Sequence, residues 1–401
     1  MTALKSSLHS PAPIEKAVRV PASRARLMAF VANGETEASL QDCLSQLSFP
    51  DATIKNGGIA KAIQFLGVER SPESIIVDIS GIEMPASRVH DLAQVCEPGV
   101  TVIAIGDHND VGLYRDLVQA GVSEYIVKPA TPQLLAKVLF PQSGIAEGNP
   151  ISRKLGKVVA FVGARGGVGA TTLAINLAWY LANQQKRRIL LLDLDLQNGD
   201  CALALNLRPT PGLREALANP MRIDNVFLER AMAVHSERLY VLSAEESLRS
   251  NVEFLAEAVE ALVGALRRQF HYIIVDVPRL PGGPYWRSLD MADIRVIVAD
   301  QTLRSVRDTV RLQAAFGEGN AAHRNLIVLN RRGEGGRYAM TLDDMGKVNL
   351  RPSILIPFRP KLFTTEGLTR NNKFTEAIAA LAMKISGHMP ERTPWWRLAG
   401  W

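Results

Sequence analysis

Residues 161–182 read FVGARGGVGATTLAINLAWYLA: an apolar strand end, a turn with three glycines in four positions, and an apolar run of helical length. Glycines in such a turn let successive backbone N–H groups face inward, and the helix that follows adds the positive end of its dipole. Together they form a cradle for phosphate. Against the pattern G-x-x-x-x-G-K-[ST], the loop runs Ala164-Arg165-Gly166-Gly167-Val168-Gly169-Ala170-Thr171. Thr171 stands where a hydroxyl holds Mg²⁺. Ala164 replaces the first glycine, and Ala170 replaces the lysine that sets a point charge against the terminal phosphates. Affinity and turnover should both fall without that lysine, while amides, dipole and metal still favour an anion. Arg165 supplies another cation, placed to fold back onto the phosphates or to reach across a subunit interface. A glycine turn serving close packing alone is the competing reading.

The stretches further along support a nucleotide site. RRILLLDLDLQNGD (187–200) brings Asp193 and Asp195 to the end of an apolar strand, the edge where open α/β sheets bind ligands. Asp195 is placed to orient an attacking water or to help hold the metal. HYIIVDVP (271–278) ends in Asp276, a position that binds Mg²⁺ directly or through water. Any one of these carboxylates alone is explained as a turn cap, but three in order after a glycine loop are not. KVVAFVG (157–163), LYVLSA (239–244), IRVIVAD (294–300), NLIVLN (325–330) and PSILIP (352–357) complete a set of near-continuous apolar runs. Separated by helical stretches, they predict a mostly parallel sheet flanked by helices.

A second α/β pattern precedes this one. RLMAFVA (26–32), ESIIVDIS (73–80), VTVIAIG (100–106) and EYIVKP (124–129) alternate with helical stretches such as 87–96 and 112–121. The expected organisation is a leader at 1–23, a domain at 24–140, a Gly/Pro/Ser-rich linker at 141–155, a larger domain at 156–389 and a tail at 390–401. A chain of 401 residues with 47% hydrophobic and 21% charged residues is ordinary globular usage and excludes a disordered protein. The net charge of +6 permits contact with nucleic acid or an anionic membrane without requiring either. Cys43, Cys96 and Cys201 show neither a disulfide framework nor zinc spacing and read as buried apolar thiols in a reducing compartment. No apolar run reaches the ~20 residues of a membrane span, and the N-terminus lacks a signal-type apolar core. A cytoplasmic protein is expected, with peripheral association at the inner membrane or cell pole left open.

The order GARGGVGATT, LLDLDLQNGD, HYIIVDVP, LIVLNR and ILIPF resembles the ParA/MinD class of deviant Walker ATPases. More narrowly it resembles the TadZ/CpaE branch, which localises and helps assemble Flp/Tad type IVb pili. Leu-Gln after the second aspartate, the trailing Gly199-Asp200 and the N-terminal domain carry the narrower likeness. The resemblance implies ATP and Mg²⁺ as ligands, a homodimer, and a pilus secretion machinery with its motor ATPase as partner. It places Gly166, Gly167, Gly169, Thr171 and Thr172 at phosphate- and metal-binding positions, in a loop that also holds Val168. It makes Asp195 the hydrolysis-linked first switch, Asp276 the Walker B carboxylate, Asn330 an adenine contact, and Pro357 part of a base-lining segment. Arg165 stands at the signature lysine that reaches the partner subunit's nucleotide, and Ala170 at the loop lysine. These two departures imply weak or absent hydrolysis.

Residues 24–140 resemble the response-regulator receiver fold, a flavodoxin-like architecture. Asp78 in VDISGIEMP stands at the phosphoacceptor and Lys128-Pro129 at the motif after the last strand. The first strand lacks the adjacent acidic pair that binds Mg²⁺, and Gly106 replaces the switch hydroxyl, so a binding or dimerisation module is expected rather than a phosphorylated one. In the tail, Trp395, Trp396 and Trp401 lie beside Arg392 and Arg397, a composition suited to a membrane surface or a protein pocket. The competing function is a DNA-partitioning ATPase in which Arg304, Arg307 and Arg311 share one helix face, with Arg331 and Arg332 nearby, and meet phosphates. A third reading, phosphorylation of Asp78 controlling the ATPase, conflicts with the missing acidic pair.

Overall fold

The computed structural model describes residues 25–140, 155–249, 252–280, 282–317, 323–358 and 372–387, apart from positions 48, 50, 51 and 335. The leader, nearly all of the linker and the tryptophan-bearing tail lie outside the described residues.

The N-terminal strands are β1 (Leu27–Val31), β2 (Thr53–Asn56), β3 (Ser74–Asp78), β4 (Thr101–Gly106) and β5 (Glu124–Val127). They form a parallel sheet in the order β2-β1-β3-β4-β5. Alternation sends Phe30, Ile75 and Val77 to one face and Leu27, Ala29, Ile76 and Ile103 to the other. Both faces are buried, which explains why these strands read as unbroken apolar runs.

The C-terminal strands are β6 (Lys157–Gly163), β7 (Ile189–Asp193), β8 (Ala233–Val234), β9 (Leu239–Leu242), β10 (Tyr272–Val277), β11 (Ile294–Ala299), β12 (Arg324–Arg332) and β13 (Ile354–Pro357). Their order is β13-β12-β11-β6-β10-β7-β9-β8, parallel throughout except the short β8 against β9. Helices Ala170–Asn183 and Lys373–Ser386 cover one face with Phe161, Leu191 and Ile274. Helices Gly212–Ala218 and Ala256–Leu266 cover the other with Leu190, Leu192 and Ile273. The α/β fold, with mostly parallel sheets flanked by helices, follows the sequence expectation. Chain order reverses around β6, so the ends of β6, β10, β7 and β11 converge on one crevice.

The two domains meet at the opposite edge of the large sheet. Arg188, directly before β7, is 2% exposed and donates to Glu97 Oε2 at 3.2 Å. Its guanidinium lies 4.9 Å from the Tyr240 ring centre and 4.7 Å from that of Phe270. Arg238 donates to the carbonyls of Val68 and Glu69. Gly99, with φ +77°, comes so close to Arg268 that a Cβ would stand 2.8 Å from its carbonyl oxygen.

Candidate nucleotide-binding site

The glycine loop joins β6 to helix Ala170–Asn183. Gly167 (φ +77°) and Gly169 (φ +90°) hold left-handed backbone that other residues adopt only with strain. Space is tight at one of them: a Cβ on Gly169 would lie 2.6 Å from Asn330 Nδ2. The Asn330 amide donates to the Val168 carbonyl at 2.8 Å, so in this structure the residue expected beside adenine braces the loop. Ala164 is buried, Thr171 and Thr172 are half-buried, and Ala170 begins the helix without a cation. Pro357 ends β13 at the edge of the sheet, half-buried.

Behind the loop, β10 and β7 pair in register with Asp276 opposite Asp193. Asp193 accepts from the backbone N–H groups of Cys201 and Asp195, both at 3.1 Å. Asp276 accepts from the Thr171 hydroxyl. The donor atoms of Asp193, Cys201 and Asp276 all lie within 4.8 Å of one another, and all three residues are buried. Burial pushes the Asp276 carboxyl up to about 7, and the neighbouring Asp193 adds to the push. Burial likewise pushes Asp193 up to about 6. Two buried carboxylates opposed in this way are costly when both are ionised, and a divalent cation removes that cost. The Asp276 and Asp193 oxygens with the Thr171 hydroxyl are a hard-donor set suited to Mg²⁺, so the residues present fit the metal.

Asp195 sits elsewhere. It is half-exposed, and its Oδ1 accepts from Asn198 N at 3.0 Å, capping the turn after β7. Cys201 is buried as expected, but its surroundings are not apolar: its Sγ lies 3.9 Å from Asp276 Oδ2. Its closeness in sequence to Asp193 was the one available signal.

Two arginines hold the loop from its flanks. Arg165 donates to the carboxylate of buried Asp300 and, at 3.0 Å, to the Gly166 carbonyl. Burial pushes the Asp300 carboxyl up, but hydrogen bonds from Thr302 and Arg165 outweigh it and leave it below the usual carboxylate range. Arg279, three residues past Asp276, donates to the Ala164 carbonyl and, at 3.0 Å, to Asp308 Oδ2. Nothing in its sequence context marked it. The expected arginine row lies on helix Leu303–Phe316, yet Arg307 and Arg311 both face Asp308, at 2.8 and 3.8 Å. Arg331 pairs with Glu334 at 3.3 Å.

In the N-terminal domain, Asp78 is buried and its carboxylate is saturated. Lys128 Nζ is 2.8 Å away, and the N–H groups of Ala32 and Ser80 each donate at 3.0 Å. Burial raises its pKa, but the Lys128, Ser80 and Ala32 hydrogen bonds prevail and lower it. At Gly106 a Cβ would stand 2.7 Å from the Tyr125 hydroxyl, which donates to the His108 carbonyl at 2.8 Å. The tyrosine ring thus fills the room that a switch side chain would need. Among the described residues the only group of three metal donors is that of Asp193, Cys201 and Asp276.

Residues 156–317 match the family model described as AAA domain. The septum site-determining protein MinD of Synechocystis sp. is 28% identical over 181 residues, covering 45% of this chain and 66% of that protein. That span is just under two thirds of the relative's length. Among solved structures, a ParA family ATPase from Chlorobium tepidum aligns with a TM-score of 0.51 at 23% identity, over 57% of this chain and 98% of that one. A pilus assembly protein CpaE from Caulobacter crescentus aligns at 30% identity over 29% of this chain and 91% of that one, with a TM-score of 0.27. No helix among the described residues is long and apolar enough to cross a membrane.

Proposed function

Given a larger domain with the ParA/MinD-like P-loop fold, we propose that the chain is an ATP-binding, dimerising localisation and scaffold factor for a Flp/Tad type IVb pilus system. Hydrolysis in it is weak or absent. The observation that carries this reading is the loop 164–171: the backbone cradle and the acidic pair are retained, while position 170 is alanine. Such a site holds a nucleotide better than it turns one over.

Thr171 and Asp276, with Asp193 beside them, would hold Mg²⁺, which when bound supplies charge neutralisation for the phosphates. The amides of 166–171 and the start of helix Ala170–Asn183 orient the phosphates. Arg165, kept by Asp300 within its own subunit, does not reach a partner unless that pair opens. ATP acts as a switch if the dimer binds it better than the monomer does. The pilus assignment is supported by DLDLQ, Gly199-Asp200 and an N-terminal domain with receiver topology. The partners are then the secretion machinery and its motor ATPase, met at the inner membrane or cell pole, with Trp395, Trp396 and Trp401 as an anchoring segment. The DNA-partitioning reading is weaker, because two of its three helix arginines, Arg307 and Arg311, are turned towards Asp308.

Isothermal titration with Mg-ATP tests the nucleotide claim. Binding is expected in the native chain and not in Asp276→Ala, with turnover far slower than binding. Absence of binding in the native chain refutes the reading.

A further inference from the structure

The loop has no ammonium at position 170, yet a guanidinium group that the family pattern does not call for stands against it. Arg279 Nη1 touches both the Ala164 carbonyl and Asp308. Resting on the nucleotide reading above, we propose that Arg279 carries the phosphate-facing charge that Ala170 lacks.

Arg165 is the other local candidate, and the geometry separates the two. Asp300 is buried, and Arg165 is the only cation paired with it among the described residues. Moving Arg165 onto a phosphate would strand that carboxylate. Asp308 has three cations: Arg279 at 3.0 Å, Arg307 at 2.8 Å and Arg311 at 3.8 Å. Arg279 can leave Asp308 with its charge still compensated. Arg279 is also 39% exposed, so water or a ligand reaches it. A guanidinium offers five N–H donors, and both contacts here use Nη1 alone. Among the described residues Nε and Nη2 have no partner, which leaves them for phosphate oxygens in the planar fork that suits them. The connection that holds Arg279 starts at the end of β10, so the strand that positions Asp276 also positions the arginine.

The test is isothermal titration of the full chain with Mg-ATP, Mg-ADP and AMP, paired with thermal melting of each variant. Arg279→Gln should lose about tenfold or more in ATP affinity, the scale of a charged hydrogen bond, with AMP affected least. Ala170→Lys in the Arg279→Gln background should restore the loss. A native chain that binds ATP as tightly as Arg279→Gln does would overturn the proposal while leaving the nucleotide reading intact. A native chain that binds nothing overturns the nucleotide reading itself. A purely bracing role predicts that Arg279→Gln loses the same factor for ATP, ADP and AMP; that outcome also overturns the proposal. If Arg279→Gln melts early, Arg279→Lys decides: it keeps the charge, and it should hold the ATP-over-AMP preference if charge is what counts.

Discussion

Replacing Arg165 by alanine isolates the clasp on the glycine loop. The Asp300 side chain is 5% exposed and that of Arg165 32%. Breaking a fully buried pair by removing one member costs roughly 3–5 kcal/mol. Here one partner is a third exposed, and Thr302 still donates through its hydroxyl at 2.6 Å and its N–H at 3.2 Å. Solvent screening and these bonds reduce the loss to about 2 kcal/mol. For a domain of this size that corresponds to a melting temperature lower by roughly 4–8 °C. The folded pKa of Asp300 is depressed, so the pair's contribution is present above the ordinary carboxylate pKa and is lost as pH falls through the lower folded value. The gap between native and Arg165→Ala proteins should therefore be full at pH 7 and narrow below about pH 4. Urea denaturation across that range is the assay, and Arg165→Ala/Asp300→Asn should recover most of the loss. A single variant within about 0.5 kcal/mol of native at pH 7 would refute the clasp.

Four further outcomes are expected. Asp276 has a raised folded pKa, so its burial costs nothing below the ordinary carboxylate value and progressively more as pH rises towards about 7. Asp276→Asn should accordingly raise the calorimetric melting temperature of nucleotide-free protein at pH 8 and not at pH 4, while removing Mg²⁺-dependent ATP binding. Gly169→Ala meets both a positive φ and Asn330 and should destabilise by about 1–3 kcal/mol. Gly166→Ala, with open space around its Cβ, should stay within about 0.5 kcal/mol of native in the same denaturation series. Acetyl phosphate with Mg²⁺ should leave no phosphoryl adduct on Asp78 by mass spectrometry, because β1 and the turn after it, LMAFVAN, carry no acidic pair to hold the metal; an adduct absent from Asp78→Ala would contradict that.

Much of this was legible in the residue order. Unbroken apolar runs gave away strands buried on both faces, and the glycine turn fixed the start of helix Ala170–Asn183, because left-handed backbone at 167 and 169 leaves few alternatives. Register carried Asp193 and Asp276 together, since both end strands that neighbour each other in the sheet. What stayed hidden depends on distant partners. Arg279, Asp300 and Asp308 are ordinary charged residues until the chain folds, and the placement of Cys201 beside two carboxylates follows from the turn after β7 rather than from any spacing rule. Asn330 was legible as a residue near the loop, while its hydrogen bond to the Val168 carbonyl, 162 positions away, needs the fold to be seen.

The seam between the domains bears on how the protein can be handled in pieces. Expressing the larger half alone would strip Glu97 from Arg188 and leave a guanidinium without its carboxylate, against the Gln269 carbonyl and framed by Tyr240 and Phe270, on the new exterior. Such a fragment would present a greasy, cationic scar of its own making. Any stickiness towards nucleic acid or lipid measured on it would belong to the truncation and not to the intact molecule.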